Sequence, residues 1–200
     1  DAAQTETDHN VEMKTKKTIP RPINFFISSP FSPQLLFYDF LDFPDIPFDL
    51  VITSPLKRAR ETGELAVSAS EKNWERKIPI IEDRRIMELN WGCWEGLGCL
   101  ESNFEVPDPN YNTFYTDPFH YQGSPDGDSI TDLMKRTADF FNELIANPEY
   151  QDKTILIATH GCALRAMLNP LYKDKNSFWQ EHVPYNCAVT MVDVKDGQAK

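Results

Sequence analysis

The sequence lacks several things that would place it elsewhere. Its four cysteines, Cys93, Cys99, Cys162 and Cys187, form no C-x-x-C pair and sit at no ligand spacing from a histidine. That argues against a zinc site and for reduced thiols, so the expectation is a cytoplasmic protein with neither metal nor other cofactor. No apolar run reaches 18 residues, so no segment reads as a transmembrane helix. The opening DAAQTETDHN has neither the basic start nor the apolar centre of a signal peptide. Basic residues are outnumbered, 20 Lys and Arg against 31 Asp and Glu, and the resulting net charge of −11 argues against a broad nucleic-acid or anionic-membrane surface. A small basic pocket inside an acidic shell remains open. No internal repeat is visible, and oligomeric state leaves no readable trace.

What is present suffices for a folded core. A hydrophobic share of 40% with 13 Phe excludes a disordered chain, and 200 residues fit one domain, 1–200. Up to about Phe48 the texture is irregular. Pro20, Pro22, Pro30 and Pro33 each remove a backbone donor, which argues against a long helix or a central strand before Gln34. "LLFYDFLDF" reads as a short helix.

From Asp49 the pattern becomes regular. "DLVITS" reads as a buried strand, and "PLKRARETGELAVSA" as a helix with Pro55 near its start. "KIPIIED" is a second strand. The stretch 99–128, rich in aromatics, Pro, Asn and Asp, reads as a lid or binding loop. "DSITDLMKRTADFFNELIA" is the clearest helix, with Ser129 and Asp132 in a capping-box arrangement and Ile130, Leu133, Met134, Thr137, Phe141 and Leu144 on one side. The strand "TILIAT", a helix after His160 and a last strand "CAVTMVDV" follow. Alternating strands and helices mean α/β with a mainly parallel sheet.

In such sheets ligands bind beyond the carboxyl ends of the strands. Two strand ends carry polar residues: Ser54 before "PLKRAR", and Thr159 before "HGCALR". Arg58 and Arg60 lie two apart on a helix, so at most one faces the crevice. Arg58, one turn from the strand end, is placed to fork two oxygens of a phosphate, against the competing reading of a solvated helix face. Glu88, between Met87 and Leu89 and ahead of Trp91 and Trp94, is a candidate general acid, against an ordinary surface glutamate. His160 alone reads as easily as a core histidine. Gly161 lets backbone approach a ligand, and the helix start adds N–H groups and a positive dipole end.

Together, "SPLKRARETGELA", "ELNWGCWEGL", "PDGDS" and "ILIATHGCALRAML" resemble, in order and spacing, the histidine phosphatase superfamily, the phosphoglycerate mutase-like group. The resemblance runs from about Phe48 to Asp196. It implies a three-layer α/β/α sandwich, a phosphatase or phosphomutase working on small phosphate esters through a phosphohistidine intermediate, and no metal. It also implies roles. Arg58 binds the transferred phosphoryl group, Glu88 protonates the leaving oxygen, and His160 with Gly161 donates to the phosphoryl oxygens. Asp128 stands where the family has Glu in P-x-G-E-S, and is expected to serve the start of the long helix.

The N-terminus departs from the family pattern R-H-G-[EQ]-T-x-x-N. "ETDHN" matches its tail and puts Asn10 in the phosphate pocket, but places Gln4 where the nucleophilic histidine belongs. A second register puts Ala2 there. The chain is then a pseudo-enzyme, altered or incompletely described at its N-terminus, or reliant on His9. As written, it is expected to be catalytically impaired. A phospho-ligand-binding module without turnover is the alternative.

Overall fold

A computed structural model describes residues 23–28, 46–100, 102–182 and 184–200 of the chain. In chain order it holds strands β1 (Ile23–Ser28) and β2 (Leu50–Thr53), helix α1 (Lys57–Ala69) and strand β3 (Ile80–Glu82). A two-residue hairpin follows, β4 (Cys99–Leu100) and β5 (Asn103–Phe104), then helices α2 (Asn110–Thr116) and α3 (Ile130–Ala146). The chain closes with β6 (Ile155–Thr159), helix α4 (Gly161–Leu168), β7 (Val189–Lys195) and β8 (Gln198–Ala199). Among the described residues, no helix is long and apolar enough to cross a membrane.

The main sheet runs β3-β2-β6-β1-β7-β8. Strands β3, β2, β6 and β1 are parallel, and β7 pairs antiparallel to β1. β2 and β6 are buried along their whole length, as strands covered on both faces must be, which is why LVIT and ILIAT read as continuous apolar runs. Their alternate side chains feed two separate cores. Leu50, Ile52, Ile155 and Ile157 pack with Phe140, Phe141 and Leu144 of α3 and Leu164 and Met167 of α4. Val51 and Leu156 point the other way, to Phe48 and Ala66 of α1. The result is an α/β/α sandwich with a mainly parallel sheet.

β1 corrects one expectation. A central strand does occur before Gln34, between β6 and β7, with Ser28 opposite Thr159. The prolines exclude a strand only where they interrupt it. Pro20 and Pro22 precede "INFFIS" and Pro30 follows it, so all six donors of the strand survive. The helix read from "LLFYDFLDF", together with Gln4, His9 and Asn10, lies outside the described residues. Segment 99–128 is less irregular than its composition suggested, since it contains the β4–β5 hairpin and α2.

The capping box at α3 is formed. Ser129 Oγ accepts from the Asp132 N–H at 3.0 Å, and Asp132 Oδ2 accepts from the Ser129 N–H at 3.2 Å. With Ser129 8% exposed, water cannot replace these bonds freely. Ser129→Ala is expected to lower stability by about 1 kcal/mol, read as a shifted midpoint with unchanged slope in urea denaturation.

Candidate active site

β2 and β6 run side by side, and the Ser54 N–H donates to the Ala158 carbonyl at 2.9 Å, so their carboxyl ends open together. His160 leaves β6 at the N-cap of α4, with extended backbone (φ −128°, ψ 166°) that turns its ring back toward β2. There Nε2 lies 2.8 Å from Ser54 Oγ, and both residues are buried, His160 with 1% exposure. Burial first, then the charges of Arg58 and Arg136, push the imidazole down to about 3. It is therefore neutral across the physiological range.

Glu88 follows a short turn after β3. Its Oε1 accepts from the N–H groups of Leu89 (3.0 Å) and Ala163 (3.1 Å), and Oε2 from Cys162 (3.3 Å). The sequence reading left the first N–H groups of this helix for a ligand. Two of them are instead taken by the Glu88 carboxyl oxygens, which sit at the positive end of the helix. Burial pushes its pKa up, and the three N–H groups and then Arg58 pull it back. A carboxyl under such opposed influences suits proton donation.

The Glu88 loop is held from behind by Arg136 of α3. Nη1 donates to the carbonyls of Arg85 (2.8 Å) and Met87 (2.7 Å). Nη2 donates to the Glu88 carbonyl (2.9 Å) and to Asp128 Oδ2 (3.0 Å). Asp128 also accepts from the Asn90 N–H at 3.2 Å, while its own N–H donates to the Asn90 carbonyl at 2.8 Å. Asp128 thus fastens the Glu88 loop, and capping of α3 falls to Ser129. Gly92 makes the approach possible: its φ is +54°, and a Cβ there would collide with the Pro125 carbonyl oxygen.

One cavity of about 870 Å³ is lined by Arg58, Glu88, His160 and Gly161. Four residues separated by up to 103 positions are thus brought together (Arg58 to Gly161, 161 − 58). Arg60 turns away, pairing with Glu64 at 3.0 Å and Glu82 at 2.8 Å. His120 pairs with Asp117 at 2.9 Å, and neither it nor His182 lines the cavity. Phe114 and Tyr115, from the aromatic segment, do line it, as do Trp91 and Trp179. The sequence marked Ser54 only as a strand end and did not mark Arg136. Arg136 carries no local signal, being one polar position of an amphipathic helix whose partners lie 48 or more residues away in sequence, Asp128 excepted.

A family model described as histidine phosphatase superfamily, branch 1, matches residues 41–200. The chain belongs to that superfamily. It is 28% identical over 144 residues to a 2,3-bisphosphoglycerate-dependent phosphoglycerate mutase of Corynebacterium efficiens, covering 62% of this chain and 56% of the relative. It is also 28% identical over 143 residues to the enzyme of that name from Bifidobacterium longum, covering 62% and 57%. The chain thus spans little more than half the length of these curated relatives. Among solved structures, Bacillus stearothermophilus YhfR shares the fold with a TM-score of 0.73 at 21% identity, over 89% of this chain and 94% of that one. The alpha-ribazole phosphatase from Shigella flexneri does so with a TM-score of 0.66 at 21% identity, over 89% and 93%.

Two measurements check this geometry. Because the His160 imidazole is held neutral when folded but protonates near 6.5 when unfolded, folding loses stability as pH falls from about 6.5 toward 3, by about 1.4 kcal/mol per pH unit for this one site. The urea stability of the native chain minus that of His160→Asn is expected to decline with that sign over that window. Removing the clamp, Arg136→Met leaves three carbonyls and Asp128 without their donor and is expected to cost about 3 kcal/mol, with Arg136→Lys recovering only part of it in the same assay.

Proposed function

We propose that this chain holds small phosphate monoesters in the cavity, as a phosphatase or phosphomutase-type protein of the phosphohistidine kind, with turnover impaired in the sequence as written. The carrying observation is the shared cavity of Arg58, Glu88 and His160, in which Arg58 bears on both other groups. Arg58 supplies the positive charge and a two-toothed grip on phosphoryl oxygens. His160, uncharged, offers a ring N–H, and Gly161 lets the phosphoryl group come near the backbone. Glu88 carries the proton for the departing alcohol oxygen. Negative charge spread over phosphoryl oxygens in flight is what such fixed donors stabilise, without a metal. Asn10 is assigned to the same pocket by family resemblance. Four free cysteines suit a cytoplasmic setting. Hydrolysis is favoured over mutase chemistry, since no feature among the described residues supports a site that keeps water from a phosphohistidine.

Impairment follows from counting nucleophiles. The chain has four histidines, His9, His120, His160 and His182. Of the three described, only His160 lines the cavity, and the family resemblance gives it the donor role. At Gln4 the family pattern finds no histidine. The residues after β1 read Ser29, Pro30 and Phe31, and Ser29 follows Ser28 in sequence as His160 follows the paired Thr159. Neither place supplies the nucleophile. This favours the second reading as well, a module that binds a phospho-ligand without turning it over.

Calorimetric titration with inorganic phosphate is expected to show binding, weakened about ten- to a hundredfold by Arg58→Ala. Labelling of the unaltered chain with a phosphate ester radiolabelled in its phosphoryl group, quenched in alkaline denaturant to preserve any phosphohistidine, is expected to give no phosphoenzyme, and a label on any residue would refute the impairment. Turnover recovered by Gln4→His or Ser29→His identifies an intact site lacking one part. Phosphate binding without recovery in either variant identifies a binding module.

A further inference from the structure

We infer that the cavity selects esters whose alcohol part is flat, apolar and uncharged, an aryl or heteroaryl group, over esters bearing an additional carboxylate. This rests on the phosphate-binding reading and names the substrate class of the same site.

The cavity, at about 870 Å³, is several times what a phosphate fills, so most of its lining faces the alcohol part. Four aromatic residues, Trp91, Phe114, Tyr115 and Trp179, stand in it. Trp91 meets Phe114 edge-on with centroids 4.8 Å apart, and Phe114 meets Trp179 edge-on at 5.0 Å. Tyr115 lies nearly parallel to Trp179, at 6.4 Å and 23°. Trp179 Nε1 donates to the Phe114 carbonyl at 3.2 Å, which fixes its ring. These rings hold one another in place before any ligand arrives, so a planar guest orders little on binding. Tyr115, 51% exposed, leaves part of its ring uncovered at the rim.

Charge in the lining points the same way. Its described residues include three arginines, Arg58, Arg84 and Arg136, and three carboxylates, Glu88, Glu95 and Asp128. Arg136 is engaged by Asp128 and three carbonyls, and Arg58 stands with Glu88 and His160 at the phosphoryl end. Only Arg84 and Glu95 are left for the outer part, and their charges cancel. Glu95 is fixed there, its Oε1 accepting from the Trp91 N–H at 3.2 Å. A phosphoglycerate, the ester in the names of the curated relatives, brings a carboxylate to this end. There Glu95 offsets Arg84, so no net positive charge receives the carboxylate, and the negative faces of the aromatic rings repel it. A neutral aromatic group meets dispersion and stacking instead.

The test uses the whole chain and three probes it cannot hydrolyse: inorganic phosphate, phenylphosphonate and 3-phosphonopropionate, each titrated calorimetrically. Phenylphosphonate is expected to bind about tenfold more tightly than phosphate, and 3-phosphonopropionate no more tightly than phosphate. Tyr115→Ala, at an exposed position that leaves the core intact, is expected to cut the phenyl advantage to about threefold or less. If phosphate binds but 3-phosphonopropionate equals or exceeds phenylphosphonate, the selectivity is overturned while the phosphate pocket stands. A phenyl advantage untouched by Tyr115→Ala likewise overturns it, since the aromatic wall is then not the selecting element. Failure of all three probes to bind overturns the phosphate pocket itself, and the selectivity with it.

Discussion

The site depends on a carboxylate docked on the first amides of a helix. Glu88 lies on a loop distant in sequence from α4, yet its oxygens accept from Cys162 and Ala163 at the point where α4 begins. The positive end of the helix stabilises a buried carboxylate, and the charge of Arg58 adds to it. That contact places Glu88 beside His160, the N-cap residue of the same helix, and Arg58 joins them from the first turn of α1. The imidazole is held neutral by burial first, and then by the charges of Arg58 and Arg136. The carboxyl is poised because burial and hydrogen bonding oppose each other on it. Neither state belongs to the residue alone.

Polar contacts add to apolar ones in fixing the loop that bears Glu88. Ile86 and Leu89 on either side of it are buried in the two cores, and Arg136 bonds the carbonyls of Arg85, Met87 and Glu88. A guanidinium is suited to this because its donors are planar and fixed in direction. A lysine offers the charge without the fork. Asp128 closes the arrangement by neutralising Arg136 and tying down Asn90.

Much of the fold was legible because its signals are local. ILIAT reads as a buried strand, the α3 stripe as an amphipathic helix and Ser129 with Asp132 as a cap, and each needs only neighbours in sequence. β1 was missed because proline was weighed by its frequency in the region and not by its position relative to six clean residues. Arg58, Glu88 and His160 were individually weak and became a constellation only through the order of four motifs. Arg136 and the true task of Asp128 were illegible, because their partners are backbone carbonyls and amides, which every residue carries and no side chain announces. The same holds for the N–H groups at α4, whose occupant is decided by a residue more than seventy positions earlier.

The two ends of the aromatic excursion between Asn90 and Asp128 are stapled side by side: Cys93 donates to the Pro125 carbonyl at 3.1 Å, and the Asn90 side chain to the Asp126 carbonyl at 3.1 Å. Roughly thirty residues therefore leave and re-enter the scaffold through a single gate. Val106, Tyr111, Phe114 and Tyr121 inside this segment pack with Cys162, Ala163 and Ala166 of α4. A change in those buried rings is therefore felt at the helix end that holds Glu88.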